Sequence, residues 1–358
     1  MKEIYFKDVP SHRKVPNSKI IVDFFKFNVI DSSHSFLTHF HADHYNGIST
    51  KFDQKIYCSE TTANLLKLFY NITNTFIMEY NIFIKLYDDV YVKAIDANHC
   101  PGAISLIFKI KNSYYYHTGD FRYNNSIHNI KDIVFNDIFL DNTFLHKNTP
   151  KQEDVIIRTI DEIKKRIYNK NILIPFKYKI LFGTYLIGKE KLVLSVCDYF
   201  KWKIYVDKRK MNILKCYSEY DISRLNDFVY KMRKYIYEKE NINNNNKKFD
   251  DTIPFSLFTE NIQQSDVEII QMANMNAIKL NKKYIRMKED RILFICGTGW
   301  KDGNRFYNLT KNNRQIKKGI EFLYLPYSEH SSKNELEEFI NSMKYNSIIF
   351  TVNVNKYK

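Results

Sequence analysis

An α/β protein is the fold class this sequence predicts, organised as one large domain carrying an insertion or as two interlocked domains. Three observations predict it. Through the first 148 residues, short apolar runs at strand period alternate with segments at helical period. From about Thr149 the texture changes, and a long helical pattern over residues 155–167 opens a second stretch of alternation. At 358 residues, with 27 Tyr and 27 Phe, the chain can bury a large core.

Residues 1–18, with Pro10, Pro16 and several charges, read as an irregular lead-in. Residues 20–25 form a buried strand interrupted by Asp23, and Phe36 and Leu37 end the next one. The stretch that follows holds His39, His41, Asp43 and His44, three imidazoles and a carboxylate within six residues, in a chain with only 10 His. Residues two apart in extended backbone point the same way, so His39 and His41 can converge on one ion. Asp43 and His44 lie past a tightening of the chain, where a helix starting near His44 would aim them at the same cavity. Nitrogen and oxygen ligands without thiolate suit zinc in a hydrolytic site.

Residues 55–58 read as a strand and 59–70 as a helix capped by Ser59, with Leu65, Leu66 and Phe69 on one face. Strands follow at 81–86 and 90–95. Pro101 and Gly102 then force a turn that holds His99 at a strand end; Cys100 beside it is either a soft ligand or a small buried hydrophobe. Residues 104–110 and 114–116 form a hairpin running into Gly119 and Asp120, and the strand near 137–140 ends at Asp141. A strand at 172–176 precedes Gly183, Thr184, Gly188 and Lys189, which enter a helix as a phosphate nest. Residues 241–248 are a polar low-complexity loop. Strands at 291–295, 320–325 and 348–354 follow, the second leading to Ser328, His330 and Ser331 and a helix at 335–343. Trp300, beside two glycines, is either a base-stacking surface or a packing plug.

Charge narrows the partner. Lys and Arg number 55 against 40 Asp and Glu, a net charge of +15, which favours polyanions, while the even spread of the lysines leaves compositional bias as the alternative. Cys58, Cys100, Cys197, Cys216 and Cys296 show no Cys-x-x-Cys spacing, which predicts free thiols in a reducing, intracellular setting. No apolar run reaches membrane-spanning length and no secretory signal is visible.

The string Thr-His-Phe-His-Ala-Asp-His-Tyr-Asn-Gly at residues 38–47 resembles the His-x-His-x-Asp-His signature of the metallo-β-lactamase superfamily. Its flanks are similar to the β-CASP branch that acts on DNA, the group of DNA cross-link repair 5′-exonucleases and Artemis. The resemblance covers nearly the whole chain. It implies an αββα sandwich interrupted by a β-CASP cap, with boundaries at 1–148, 149–316 (including the 241–248 loop) and 317–358. It implies that His39, His41, His99 and Asp120 hold one Zn²⁺ and that Asp43, His44, Asp120 and His330 hold a second, giving one or two ions. Asp43, His44, Asp120, Asp141 and His330 are then the catalytic set. Asp23, the first family motif, and Asp141, the first β-CASP motif, orient ligands from behind. Thr184, Tyr185, Lys189, Ser328 and Ser331 would grip a 5′-phosphate, with Leu186 standing where a Ser is common. Val354 stands where RNA-processing relatives carry a ligating His, which favours DNA. The resemblance thus implies a monomeric nuclear 5′-to-3′ exonuclease in cross-link or double-strand-break repair, with repair-protein partners. The alternatives are an RNA-processing β-CASP endonuclease, a glyoxalase-like metallohydrolase and a non-enzymatic scaffold.

Overall fold

The computed structural model describes residues 2–128, 130, 132–168, 177–240, 253–272, 284, 290–311 and 314–352. Its chain divides into two units, each with its own core. The first comprises Met1–Asn148, Cys216–Asp221 and Glu329–Lys358, the second Thr149–Lys215 and Ile222–Ser328.

In the first unit, apolar residues at strand period build two larger sheets, beside a two-stranded pairing of Glu3–Ile4 with Asn28–Val29. The Ile104–Ile110 strand is buried at all but one position, because it lies inside the sheet and is covered on both faces. It pairs antiparallel with Val90–Asp96 and with Ser113–His117. Ser113–His117 pairs parallel with Val134–Leu140, which pairs parallel with Lys344–Phe350 at one edge; Phe83–Tyr87 closes the other. A four-stranded parallel sheet takes Ile20–Val22, His34–Phe36, Ile56–Cys58 and Thr75–Ile77. Val22 and Phe36 from the small sheet pack with Val92, Leu106, Phe108 and Phe139 from the large one, so the two sheets share a core. Ser59 caps the Glu60–Tyr70 helix by accepting from Thr62 N, as its sequence predicts.

The candidate ligands follow the carboxyl ends of strands. Asp23 follows Ile20–Val22, His39 and His41 follow His34–Phe36, His99 follows Val90–Asp96, Asp120 follows Ser113–His117, and Asp141 follows Val134–Leu140. Backbone polar groups at strand ends are free of the ladder, so these turns can bend side chains toward one place.

The second unit is built on a seven-stranded sheet in the order Phe258–Thr259, Ile204–Tyr205, Val267–Gln271, Tyr178–Thr184, Arg291–Gly297, Arg314–Leu325, Gly303–Lys311. Every pairing is parallel except the last. Leu181, Ile292, Phe294, Ile320 and Phe322 form its core. Inside it, Arg233 donates from Nε to Asp198 Oδ2 at 2.8 Å, and Lys210 pairs with Glu190 at 2.9 Å.

Four sequence expectations are revised or fall elsewhere. No helix starts at His44; residues 42–47 are turns and a bend, because Gly47 takes a φ of +106° against the Phe25 backbone. Gly183 and Thr184 belong to the end of the Tyr178–Thr184 strand, and the helix begins only at Glu190. Residues 317–328 group with the second unit, since Arg314–Leu325 is paired on both sides in its sheet, and 216–221 group with the first. The strand expected at 172–176, the loop at 241–248 and Val354 lie outside the described residues.

Candidate metal centre

Local folding brings the His-rich loop to its shape. Leu37 N donates to Tyr57 O at 3.0 Å, carrying the chain one residue past the His34–Phe36 strand. Thr38 then turns inward and donates from N to Asp23 Oδ1 at 2.7 Å and from Oγ1 to Asp23 Oδ2 at 2.8 Å. His44 N and Tyr45 N both donate to His41 O, at 3.0 and 3.1 Å, and this tight turn brings His44 back beside His39. The two imidazole rings stand 4.1 Å apart, centroid to centroid.

The ligand atoms converge. His39 Nε2 lies 2.9 Å from His41 Nδ1, and His99 Nε2 lies 3.3 Å from the same atom. Asp120 Oδ2 sits 3.3 Å from His44 Nε2, 3.7 Å from His39 Nε2, 3.9 Å from His99 Nε2 and 4.0 Å from His330 Nε2. Asp43 Oδ2 reaches to 3.6 Å from His44 Nε2. Nitrogen ligands about 2.1 Å from a tetrahedral divalent ion stand about 3.4 Å apart, and these separations bracket that value. Among the described residues, three overlapping groups hold their candidate ligand atoms within 4.8 Å of one another: His39, His41 and His99 with Cys100; His39, His44 and Asp120; and His99, Asp120 and His330.

The outward nitrogens test whether this set fits a metal. Glu329 O accepts from His99 Nδ1 at 2.9 Å, and Asp141 Oδ2 faces His330 Nδ1 at 2.7 Å. Asp23 Oδ2 faces His44 Nδ1 at 2.7 Å. Thr38 gives its only hydroxyl proton to Asp23, so its oxygen, 3.1 Å from His39 Nδ1, acts there as an acceptor. In all four rings the outward nitrogen therefore carries a proton, and in His39, His99 and His330 Nε2 turns a lone pair inward. Lone pairs aimed at one another among carboxylates are the donor set of a cation, and the residues fit one.

Electrostatics agree for His39 and His99, whereas His44 holds an inner proton toward Asp120 that a cation would displace. Burial, reinforced by the neighbouring imidazoles, holds His39 and His99 well below the usual histidine range, so both are neutral donors at pH 7. Burial pulls His44 down too, yet the Asp120 and Asp23 carboxylates outweigh it and raise His44 well above that range. Burial would raise Asp120, but His44 and His330 hold it well below the ordinary carboxylate value. For Asp23 burial is likewise outweighed, by His44 and by Arg13, whose guanidinium lies 3.6 Å away.

Comparison with known proteins follows from this geometry. Residues 253–356 match the DNA repair metallo-beta-lactamase family. The human DNA cross-link repair 1A protein is 31% identical over 98% of this chain and 31% of its own length. The DNA cross-link repair protein PSO2/SNM1 of Saccharomyces cerevisiae is 29% identical over 94% of this chain and 62% of its own. The similarity is to the DNA-repair metallo-β-lactamase family. A 5′ exonuclease Apollo of Danio rerio is 31% identical over 50% of the chain and 33% of its own length. The chain spans less than two thirds of each of these relatives. Among solved structures, a protein of unknown function from Enterococcus faecalis V583 superposes with a TM-score of 0.51 at 14% identity, covering 89% of this chain and 76% of that one. The mixed α/β fold fits that family's αββα sandwich with a β-CASP insertion, and its His and Asp groups are ones that could bind a divalent metal.

The remaining family-motif residues divide between the units. In the first, Ser331 Oγ donates to Phe121 O at 3.1 Å and accepts from Tyr123 N at 2.9 Å, which ties it to local backbone. In the second, Thr184 Oγ1 is fully buried with no hydrogen-bond partner among the described residues. The Lys189 ammonium lies 5.4 Å over the Tyr185 ring and 5.2 Å over that of Tyr327, with Lys189 at a φ of +74° just before the helix. Tyr185 is exposed, and Ser328 is buried with its carbonyl accepting from Gln152 Nε2 at 2.8 Å. Trp300 is 51% exposed and is therefore not a packing plug. Sequence reasoning missed Thr38, Arg13 and the Glu329 carbonyl. Thr38 could have been found from its place beside His39; the other two act only through the fold.

Proposed function

We propose that this chain is a zinc-dependent DNA nuclease that degrades 5′-phosphorylated DNA from the 5′ end in repair, and that it works in the nucleus. The observation that supports this most is the convergence of His39, His41, His44, His99 and His330 around Asp120, in a chain whose relatives are named for DNA cross-link repair and 5′ exonuclease activity. Nitrogen-rich ligation without thiolate suits zinc. His39, His41, His99 and Asp120 would hold one ion, and Asp43, His44, Asp120 and His330 a second.

Ions held there supply Lewis acidity toward a phosphoryl oxygen and acidity to water. The chain's own residues do the rest. Asp23 fixes His44, and Asp141 fixes His330 with Nε2 facing Asp120. Asp141 Oδ1 is itself held by Thr143 N at 3.0 Å, so the His330 ring is tethered at its outward nitrogen. Asp43, whose side chain is 76% exposed, can receive a proton from water at the mouth of the site. Thr184, Tyr185, Lys189 and Ser328 of the second unit would grip the terminal phosphate; the Lys189 charge and a Thr184 hydroxyl without a partner among the described residues support that assignment, while Ser331, bonded to local backbone, is not retained in it. The proposed domain scheme keeps the boundary at 148/149 and moves the return of the first domain from 317 to 329, just past the end of the second unit.

Purified protein assayed on 5′-phosphorylated and 5′-hydroxyl single-stranded DNA, and on matched RNA, tests this. Preference for the phosphorylated DNA is expected. Turnover confined to a thioester would overturn it.

A further inference from the structure

His99 sits in a loop that Ala97 N closes by donating to Ala103 O at 3.1 Å, with Gly102 at a φ of +79°. The segment Cys216–Asp221, far off in sequence, is part of the same unit and clasps this loop on both sides of His99. On one side, Asp221 Oδ1 accepts from Gly102 N at 2.9 Å across 119 residues. On the other, Tyr220 stacks on Tyr80 at 4.1 Å and donates from its hydroxyl to Asp96 Oδ2 at 3.3 Å. The second oxygen of Asp96 accepts from Asn98 N at 2.6 Å. Both contacts thus end on backbone amides flanking the ligand.

The clasp is itself held rigidly. Asp221 Oδ2 accepts from Thr61 Oγ1 and from Ser218 Oγ, the latter at 2.9 Å, and Thr61 Oγ1 accepts from Ser218 N at 2.8 Å. Asn64 Nδ2 donates to Cys216 O at 3.1 Å. Ser59 Oγ donates to Gly102 O at 2.6 Å, so the first turn of the Glu60–Tyr70 helix grips strap and loop together. A Cβ on Gly102 would stand 2.9 Å from Ser59 Oγ and from Thr61 Cβ, which leaves the loop no room to shift toward the helix.

We propose that Asp221 and Tyr220 are positioning residues for His99, acting through the loop of residues 96–103. This rests on the reading of His99 as a metal ligand. Groups that orient a ligand set how well its lone pair meets the ion, and their loss costs about 10- to 100-fold in metal affinity. The carboxylate's negative charge is not what the strap uses. Burial pushes Asp221 above the ordinary carboxylate range, and Asn in its place keeps an oxygen for Gly102 N and offers an amide to the two hydroxyls.

Zinc affinity of the full chain, measured by competition with a chromophoric chelator, tests this. Asp221→Ala should lose about tenfold or more, Asp221→Asn should stay within about threefold of the parent, and Tyr220→Ala should fall between. Should Asp221→Ala fail to fold, Thr61→Val against Thr61→Ser asks the same question, with loss expected only in Val. His99→Ala is the reference. If it loses zinc while folded Asp221→Ala does not, the strap proposal is overturned alone. If His99→Ala binds as the parent does, the ligand reading falls and the proposal with it.

Discussion

Asp43 offers its carboxylate with its side chain 76% exposed, so its removal touches the site and not the core. Asp43→Ala should therefore abolish cleavage while leaving the thermal melting point within about 2 °C of the parent's; turnover at the parental rate would refute the assignment. His117 shows the opposite character. Burial lowers its pKa from 6.5 to about 4, and Gly119 N donates to its Nδ1 at 3.1 Å, which requires the neutral ring. The unfolded chain takes up a proton near pH 6.5 that the native chain refuses until about 4, so stability falls as pH drops through that window. The shift corresponds to about 3 kcal/mol by pH 4. Denaturant titrations of His117→Gln and the parent from pH 7 to 4.5 should show a shallower acid slope in the variant. Candidate site residues were legible wherever their chemistry is dense in sequence, as at His39, His41, Asp43 and His44. They were not legible where one group serves another across the fold, as Arg13 serves Asp23 and the Glu329 carbonyl serves His99.

Elements were legible where one periodicity dominates. The Glu60–Tyr70 and Gln152–Ile167 helices and the Ile104–Ile110 strand lie where apolar spacing and caps put them. The helix expected at His44 failed because Gly47 bends the chain at a φ of +106°, and that bend depends on the approach of Phe25, which no local pattern reveals. A Cβ there would lie 2.2 Å from Phe25 O, so Gly47→Ala should cost more than about 2 kcal/mol and loosen the His-rich turn. Chemical denaturation measures the first effect and zinc titration the second. In the second unit, Arg233→Ala would leave the Asp198 carboxylate buried without its guanidinium, at a cost of about 3–5 kcal/mol in an unfolding titration.

At the scale of the whole chain, the net charge of +15 predicts that DNA binding weakens with salt by at least about tenfold between roughly 50 and 200 mM, read by fluorescence anisotropy. A flat response would remove the polyanion argument. Chelation should abolish nuclease activity, lower the melting temperature by removing the ligand's stabilisation, and be reversed by added zinc. Alternation gave the α/β class, and the αββα sandwich came from the family resemblance, whose motifs run in order from His39 to His330. The strand grouping near 317–328 was not, since sheet membership is decided by partners distant in sequence.

The first unit is threaded from three separate stretches of polypeptide, and the last of them brings His330 and the edge strand Lys344–Phe350. Synthesis runs from the amino terminus, so His39, His41, His99 and Asp120 emerge from the ribosome long before the final ligand does. On the proposed ligand scheme the Glu329 carbonyl, which orients His99, and His330 itself arrive together, so neither ligand set is complete until translation has passed residue 330. A reading frame broken before that point would then leave both proposed sites unfinished at once.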